Sequence, residues 1–175
     1  MTQNHETVEA LTIVDLLRRA SIPVTTVSIE ESIQVTSSLG ITVLADALYS
    51  DCTYTDMEAL ILPGGPGHMN LYHHTELASL IVETHAKKTL VAAICAAPKV
   101  LASLGIQVKS TIYPSMTDSV PHYMNTSVCV DDCVITGNAL GASIPFSLAI
   151  ITYLRDKDTA QFVADGIVYP PSSAK

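Results

Sequence analysis

Apolar residues recur along this chain with two periods, about 3.6 residues and about two residues, which are the periods of helices and of strands. The helical period predicts helices at residues 8–19, 71–87, 98–104, 143–155 and 159–166. Strand patterns fall at residues 23–29, 40–48, 59–62 and 89–94. Because helices alternate with strands, we expect a layered α/β fold with a mainly parallel sheet.

The segment around Cys95 predicts a reactive thiol. A short apolar run precedes Cys95 and is typical of a strand buried on both faces, and Pro98 fits the first turn of a following helix. A thiol at this junction lies at the positive end of a helix, which favours the thiolate and predicts a lowered pKa. The alternative is a cysteine that packs as a small apolar side chain, the commonest role of free cysteines.

Charge and composition exclude several classes of protein. The chain has 175 residues, a formal net charge of -8 and nine Lys and Arg residues, which argues against a nucleic-acid surface or an anionic membrane as partner. Its longest apolar run, near residues 90–97, is much shorter than the roughly 20 residues that span a bilayer. The first residues do not resemble a secretory signal. We expect one domain over residues 1–175, in the cytoplasm.

The four cysteines do not fit a disulfide framework. Residues 128–135 predict a hairpin, and a turn at Asp131 and Asp132 would place Cys133 opposite Val130 rather than opposite Cys129. We therefore expect free thiols, as in a reducing compartment.

Four residues of types that bind metals lie close together in sequence: His73, His74, Glu76 and His85. Their spacing is also that of an ordinary solvated helix face, and the sequence fixes no further ligand. We expect no metal site.

A second loop ends a predicted strand, at Leu62-Pro63-Gly64-Gly65. The carboxyl ends of parallel strands meet at one edge of a sheet, so this loop should lie near Cys95. The backbone N–H groups of Gly65 and Ala96 are then candidates for an oxyanion hole. A plain tight turn explains the glycines equally well.

Four motifs together resemble the ThiJ/PfpI superfamily, in the branch of the parkinsonism-associated protein deglycase and its bacterial relatives. They lie at residues 9–20, 62–65, 92–98 and 147–151, and the resemblance covers roughly residues 6–168. It implies a three-layer α/β sandwich with a flavodoxin-like sheet of the class I glutamine amidotransferase type. It also implies a homodimer that needs no cofactor.

The resemblance implies that Cys95 is the nucleophile and that Glu9 is its partner. An ionised carboxylate would raise the thiol pKa, so the useful state keeps Glu9 protonated and donating to the thiolate. The implied pocket consists of Gly64, Tyr113, Pro114 and Asn138, with Gly65 and Ala96 as backbone donors. This sequence departs from its relatives at three of these positions: Ala96 and Tyr113 replace histidines of some relatives, and Asn138 lies in a stretch that usually carries Arg, Pro and Thr.

The function that this resemblance implies is cysteine-dependent turnover of small dicarbonyls, glyoxal or methylglyoxal, or of their early adducts. The rival is a redox sensor or stress-responsive chaperone in which Cys95 becomes a sulfinate. A peptidase would need a general base that the sequence does not supply, since Ala96 follows the cysteine.

Members of the superfamily begin with an apolar strand ahead of the Glu9 helix, and residues 1–4 are too polar to form one. In a flavodoxin-like order its absence would separate the strands at residues 23–29 and 59–62 by roughly 10 Å. Buried unpaired backbone groups cost about 1–3 kcal/mol each. We therefore expect either that the recorded start lies downstream of the native one or that another segment fills the slot.

Overall fold

The computed structural model describes residues 1–169, and residues 170–175 lie outside the described part. Its helices are α1 (Thr7–Arg19), α2 (His68–His73), α3 (Thr75–Ala86), α4 (Pro98–Ser103), α5 (Ser143–Leu154) and α6 (Lys157–Gly166). Its strands are β1 (Val27–Ser28), β2 (Gln34–Thr36), β3 (Thr42–Leu44), β4 (Ala47–Leu48), β5 (Ala59–Leu62), β6 (Leu90–Ile94), β7 (Lys109–Ser110), β8 (His122–Tyr123), β9 (Val128–Asp131) and β10 (Val134–Gly137).

A four-stranded sheet in the order β5-β6-β10-β9 forms the centre. The strands β5, β6 and β10 are parallel, and β9 pairs with β10 in the antiparallel direction. The other strands form three separate pairs: β1 with β4, β2 with β3, and β7 with β8. The predicted α/β fold with a mainly parallel sheet is confirmed.

Helices cover both faces of this sheet. Ala92 and Ile94 of β6 pack into a core with α1, α5 and α6, whereas Val91 and Ala93 pack into a second core with α2, α3 and α4. Successive residues of a strand point to opposite faces, so one apolar run serves both cores. All five residues of β6 are buried, as the sequence predicted.

Several element boundaries differ from the prediction. The strand expected at residues 23–29 is ordered only at Val27–Ser28, and residues 40–48 divide into β3 and β4. The helix expected at residues 71–87 is broken at His74, which has extended backbone angles and whose Nδ1 accepts the Leu77 N–H at 3.2 Å. His74 therefore ends α2 and caps α3.

The hairpin turn lies one residue later than predicted. Asp131 pairs with Val134, so Asp132 and Cys133 form the two-residue loop, and Asp132 has a φ of 53°. An aspartate tolerates this left-handed conformation better than most residues. The Asp131 carboxylate accepts the Lys109 N–H at 2.8 Å, a contact that fits its place in β9. Cys129 lies opposite Thr136, and all four cysteines are free, as expected.

A cavity of about 570 Å³ separates β1 from β5. Within residues 1–169 no strand pairs with the edge of β5 that faces away from β6. Residues 1–6 cross one end of this cavity: Met1 donates to the Val27 carbonyl and accepts the Ile29 N–H at 3.0 Å, and the Glu6 N–H donates to the Gly64 carbonyl at 3.1 Å. Among the described residues, β1 and β5 therefore do not pair with each other.

None of the helices in the described part of the chain has the length and apolar character needed to cross a membrane.

Candidate active site

Cys95 lies at a sharp turn between β6 and α4. Its φ is 62°, a left-handed conformation that is uncommon for a residue with a side chain. Two backbone hydrogen bonds hold it: the Cys95 N–H donates to the Gly137 carbonyl at 2.8 Å, and the Cys95 carbonyl accepts the Tyr113 N–H at 2.9 Å. Such strained strand-to-helix turns expose a nucleophile at the edge of a sheet, as the sequence predicted here.

Glu9 lies in the first turn of α1 and is completely buried. Its Oε2 accepts the Gly64 N–H at 2.9 Å, while its Oε1 is buried and has no hydrogen-bond partner. Burial raises the pKa of Glu9 to about 7, although the Cys95 thiol and the Gly64 N–H act in the opposite direction. At neutral pH the carboxyl is therefore close to half protonated, and Oε1 is the oxygen free to hold the proton.

The Cys95 thiol is not acidic by itself, contrary to the expectation from its position. Burial raises the pKa of Cys95 to about 12, and the charge of Glu9 and a hydrogen bond to it contribute in the same direction. The Gly65 and Ala96 N–H groups lower the pKa. A helix end is thus too weak to overcome burial beside a carboxylate. Because the charge of Glu9 raises the pKa of Cys95, protonation of Glu9 favours the thiolate.

Positions 64 and 65 need glycine because an added Cβ would collide with neighbouring residues, and position 65 also because of its backbone conformation in the turn. A Cβ on Gly64 would lie 2.6 Å from the Cβ of Cys95 and 2.7 Å from Oε2 of Glu9. Gly65 has a φ of 100°, and a Cβ there would lie 2.6 Å from the Asn4 carbonyl oxygen. The absence of side chains lets the loop approach the thiol closely enough for the Gly65 N–H to act on the sulfur.

Sequence reasoning did not predict two further contacts of this arrangement, although it placed Gly137 in the stretch that borders the pocket. Gly137 supplies the carbonyl that fixes Cys95, and the Nδ1 of His68 lies 3.0 Å from the Gly65 carbonyl. Gly137 ends β10, so the convergence of parallel strands at one edge was a usable signal. His68 carried no such signal, because its role depends on how the loop folds back.

The predicted pocket residues lie around this centre with different contacts. Tyr113 is 45% exposed and directly precedes the short 3-10 helix Pro114–Ser119, at the start of which Pro114 is exposed. Asn138 is half-buried, follows Gly137 and donates its backbone N–H to the Ser127 carbonyl at 3.0 Å. The Tyr113 backbone N–H therefore binds the Cys95 carbonyl directly. Asn138 directly follows Gly137, whose carbonyl accepts the Cys95 N–H.

The residues described, 1–169, contain no cluster of three or more His, Cys, Asp and Glu side chains suited to a metal ion.

The profile of the DJ-1/PfpI family matches residues 1–153. The chain belongs to the DJ-1/PfpI family. Among similar DJ-1/PfpI proteins, Drosophila melanogaster dj-1beta is 32% identical over 173 residues, which are 93% of this chain and 91% of that protein. DJ-1 homolog A of Arabidopsis thaliana is 31% identical over 175 residues, 95% of this chain but 45% of its own length. This chain spans less than half of the two Arabidopsis relatives.

Solved structures of the DJ-1/PfpI family share the fold throughout. Oxidized Toxoplasma gondii DJ-1 has a TM-score of 0.94 at 30% identity, covering 97% of this chain and 96% of that one. A further relative, named glutathione-independent glyoxalase DJR-1.2 of Caenorhabditis elegans, is 29% identical over 121 residues, 66% of this chain and 65% of that protein.

Proposed function

We propose that this DJ-1/PfpI protein is a cysteine-dependent enzyme that acts on small dicarbonyls, glyoxal or methylglyoxal, or on their early adducts with amines and thiols, without a cofactor. The observation that carries the proposal is that the buried Glu9 carboxyl, whose pKa is raised to about 7, lies beside the Cys95 thiol and the N–H groups of Gly65 and Ala96. The name of the C. elegans relative supports the same reaction class.

The reaction with methylglyoxal needs one nucleophile and one group that carries protons. The Cys95 thiolate forms a bond to the aldehyde carbon, the carbonyl π electrons move to oxygen, and the protonated Glu9 neutralises that oxygen. The Gly65 and Ala96 N–H groups stabilise the developing negative charge. Glu9, now ionised, removes the proton from the former aldehyde carbon and delivers it to the neighbouring carbon, while the hydroxyl proton of the first carbon passes to the oxygen of the second, giving a lactoyl thioester.

Water then cleaves the thioester and releases lactate and the Cys95 thiol, so methylglyoxal and one water are converted to lactic acid without an external oxidant or reductant. A carboxyl with a pKa of about 7 is suited to both directions of proton transfer at neutral pH. We further propose that Tyr113, Pro114, Asn138 and Gly64 border the substrate, with the Tyr113 hydroxyl as a hydrogen-bond donor.

Lactate formation from methylglyoxal, measured without glutathione, tests the proposal. We expect Cys95→Ser and Glu9→Gln to lower kcat by at least about 100-fold, since each removes a group that takes part in bond making. Cys129→Ser is the matched control, because this half-buried thiol lies on β9 and should leave turnover unchanged. Full lactate production by Cys95→Ser would contradict the proposal.

A second candidate, a redox sensor or chaperone, is favoured by the same two N–H donors beside the sulfur, which suit a sulfinate as well as an oxyanion. One equivalent of hydrogen peroxide would oxidise the thiolate to a sulfenic acid, and a second equivalent would oxidise the sulfenic acid to a sulfinic acid. This candidate predicts a gain of two oxygen atoms at Cys95 by mass spectrometry, slower in Glu9→Gln, in a protein that makes no lactate. Equal oxidation of both proteins would remove Glu9 from this role.

We also expect a homodimer in the cytoplasm, as the family resemblance implies. Light scattering coupled to size-exclusion chromatography reports the mass directly. A mass of one chain, 18.6 kDa, at micromolar concentration would contradict the dimer.

A further inference from the structure

The left-handed turn at Cys95 is held from both sides by main-chain groups of other segments. The Cys95 N–H donates to the Gly137 carbonyl at 2.8 Å, and the Cys95 carbonyl accepts the Tyr113 N–H at 2.9 Å. These two bonds fix the peptide units before and after a residue whose φ of 62° needs support from its surroundings. The placement of the sulfur therefore depends on what holds residues 113 and 137.

Gly137 is fixed by the central sheet itself. It ends β10 and pairs with Ile94 of β6 on one side and with Val128 of β9 on the other. A Cβ on Gly137 would lie 2.9 Å from Cγ1 of Ile94, so the two strands are in close contact at this point. One side of the Cys95 turn thus rests on a paired and closely packed strand.

Tyr113 lies outside the sheet and needs another anchor. Residues 111–113 connect β7 to the following 3-10 helix and lie between these two elements. The Thr111 N–H donates to the side-chain oxygen Oγ1 of Thr136 at 2.9 Å, and the Thr111 hydroxyl donates to the Thr126 carbonyl at 2.6 Å. Both Thr111 and Thr136 are completely buried. A side chain of the sheet therefore holds the connecting segment in place.

These hydrogen bonds form a closed ring around the Cys95 turn. Thr136 directly precedes Gly137, and Thr111 lies two residues before Tyr113. The ring therefore runs from Cys95 through Gly137 and Thr136 to Thr111 and Tyr113, and returns to Cys95. Thr136 contributes its side chain to this ring, and the other four residues contribute main-chain groups. A substitution at position 136 can thus open the ring without altering the nucleophile.

Strand formation alone does not require a hydroxyl at position 136. All four residues of β10 are buried, and a valine would have the same shape as Thr136 and an equal preference for strands. The oxygen matters because the buried Thr111 N–H would otherwise lack this acceptor, and buried donors without acceptors are destabilising. The segment at residues 111–113 would then move to reach water or another acceptor.

We propose that Thr136 is a positioning residue of the Cys95 site. Its Oγ1 fixes residues 111–113, so that the Tyr113 N–H holds the Cys95 carbonyl and the sulfur stays beside the Glu9 carboxyl. Thr136 acts through the main chain of this segment and takes no part in bond making. The inference rests on the proposed function, because the proposed reaction is what the positioned sulfur carries out.

Three variants test the role of the Thr136 hydroxyl in lactate formation. Thr136→Val keeps the shape of the side chain but removes Oγ1, and we expect kcat to fall at least about tenfold through misplacement of the sulfur. Thr136→Ser keeps the hydroxyl and should stay within about threefold of wild type. The matched control is Thr84→Val, which removes another buried hydroxyl, one that donates to the Leu80 carbonyl at 2.6 Å within α3. It should leave kcat unchanged.

Amide exchange measured by NMR tests the positioning without any substrate. The Tyr113 amide is compared with the Val91 amide of β6, which should exchange only on global unfolding, so a general loss of stability does not raise their ratio. In Thr136→Val the Tyr113 amide should exchange at least about tenfold faster relative to Val91, because residues 111–113 open locally. Thr136→Ser and Thr84→Val should keep the wild-type ratio.

Several outcomes would overturn the proposal. An unchanged exchange ratio in Thr136→Val would do so even if kcat falls, because the lost activity would then come from lower stability. Wild-type kcat in Thr136→Val would also do so. If the wild-type protein makes no lactate, the proposed reaction fails, and the exchange ratio alone decides whether Thr136 holds the turn.

Wild-type exchange decides the matter if Thr136→Val does not fold. The Thr111 amide should then be protected to within about tenfold of the Tyr113 amide, because both bonds belong to one ring. Exchange at Thr111 that is at least about 100-fold faster than at Tyr113 would show that the bond to Thr136 does not hold the segment, and would overturn the proposal.

Discussion

The side chain of Glu9 and the backbone of Gly64 are joined by a 2.9 Å hydrogen bond across 55 residues of sequence. The bond occupies one carboxyl oxygen, Oε2, and ties α1 to the loop that carries the Gly65 N–H. It leaves the other oxygen, Oε1, without a partner in a buried position. Three predictions follow from the way this contact arranges the carboxyl, the loop and the thiol.

The free energy of unfolding should depend on pH through Glu9. Its pKa is about 7 in the folded protein and 4.5 when unperturbed, so the folded state binds more protons between these values. Stability from this group is therefore fully present below pH 4.5 and is lost as pH rises towards 7. The loss should be about 3 kcal/mol.

Urea unfolding of wild type and Glu9→Gln between pH 4 and 8 measures this effect. Glutamine is neutral and can still accept the Gly64 N–H. The free energy of unfolding of Glu9→Gln should therefore not show the decrease with pH that the titration of Glu9 causes. Burial lowers the pKa of His5 and His68, which makes stability rise with pH, but both proteins share that contribution and the difference between them removes it. Parallel curves for the two proteins would show that Glu9 titrates normally.

The alkylation rate of Cys95 should level off near pH 7 rather than near the thiol pKa. Above the pKa of Glu9, the reactive form of the pair has its proton on Glu9 and its negative charge on sulfur, and its share no longer changes with pH. In Glu9→Gln the rate should keep rising above pH 7, because the thiol then loses its own proton to solvent.

Iodoacetamide labelling, with mass spectrometry to separate the four cysteines, follows these rates. Cys52 and Cys129 serve as internal controls in each sample. A wild-type rate at Cys95 that still rises tenfold per pH unit between pH 8 and 9 would contradict proton sharing.

Gly64→Ala should abolish turnover while Gly141→Ala leaves it intact. The added Cβ at position 64 would lie 2.6 Å from the Cβ of Cys95, too close for either residue to stay in place, whereas a Cβ on Gly141 meets nothing within 4 Å. We expect a loss in kcat of at least about 100-fold, since misplacement of reacting groups by 1 Å has effects of this size. Unchanged lactate production by Gly64→Ala would contradict the assigned geometry.

The central strands and the sharp turn at Cys95 were predictable because their signals are local. The run before Cys95 is apolar at every position, which holds for a strand covered on both faces whatever its neighbours are. The same reasoning failed for residues 23–29, where alternating valines indicate a strand but pairing with β4 orders only two residues. The length of a paired strand depends on its neighbouring strand, and the residue pattern of one segment does not show which strand that is.

The proton equilibrium of the site was predicted only in part: the family resemblance implied a protonated Glu9 beside Cys95, but it did not indicate that the pKa of Cys95 is raised. Glu9 and Cys95 are 86 positions apart, and the sequence shows neither their contact nor the degree of burial. The position of Cys95 at a helix end gave the correct sign for the N–H groups of Gly65 and Ala96, but burial and the carboxylate outweigh them. The largest contribution to the raised pKa of Cys95 is burial, which results from tertiary packing.

The separation of the β1 and β4 pair from the central sheet divides the fold into parts that should open on different timescales. Backbone amides of Val91 to Ile94 lie in a fully buried strand paired on both sides, and they should exchange with deuterium only when the whole protein unfolds. Amides of Val27 and Ser28 belong to a two-stranded pair beside the cavity and should exchange through local opening. The edge of β1 would thus sample solvent while the Cys95 turn stays closed.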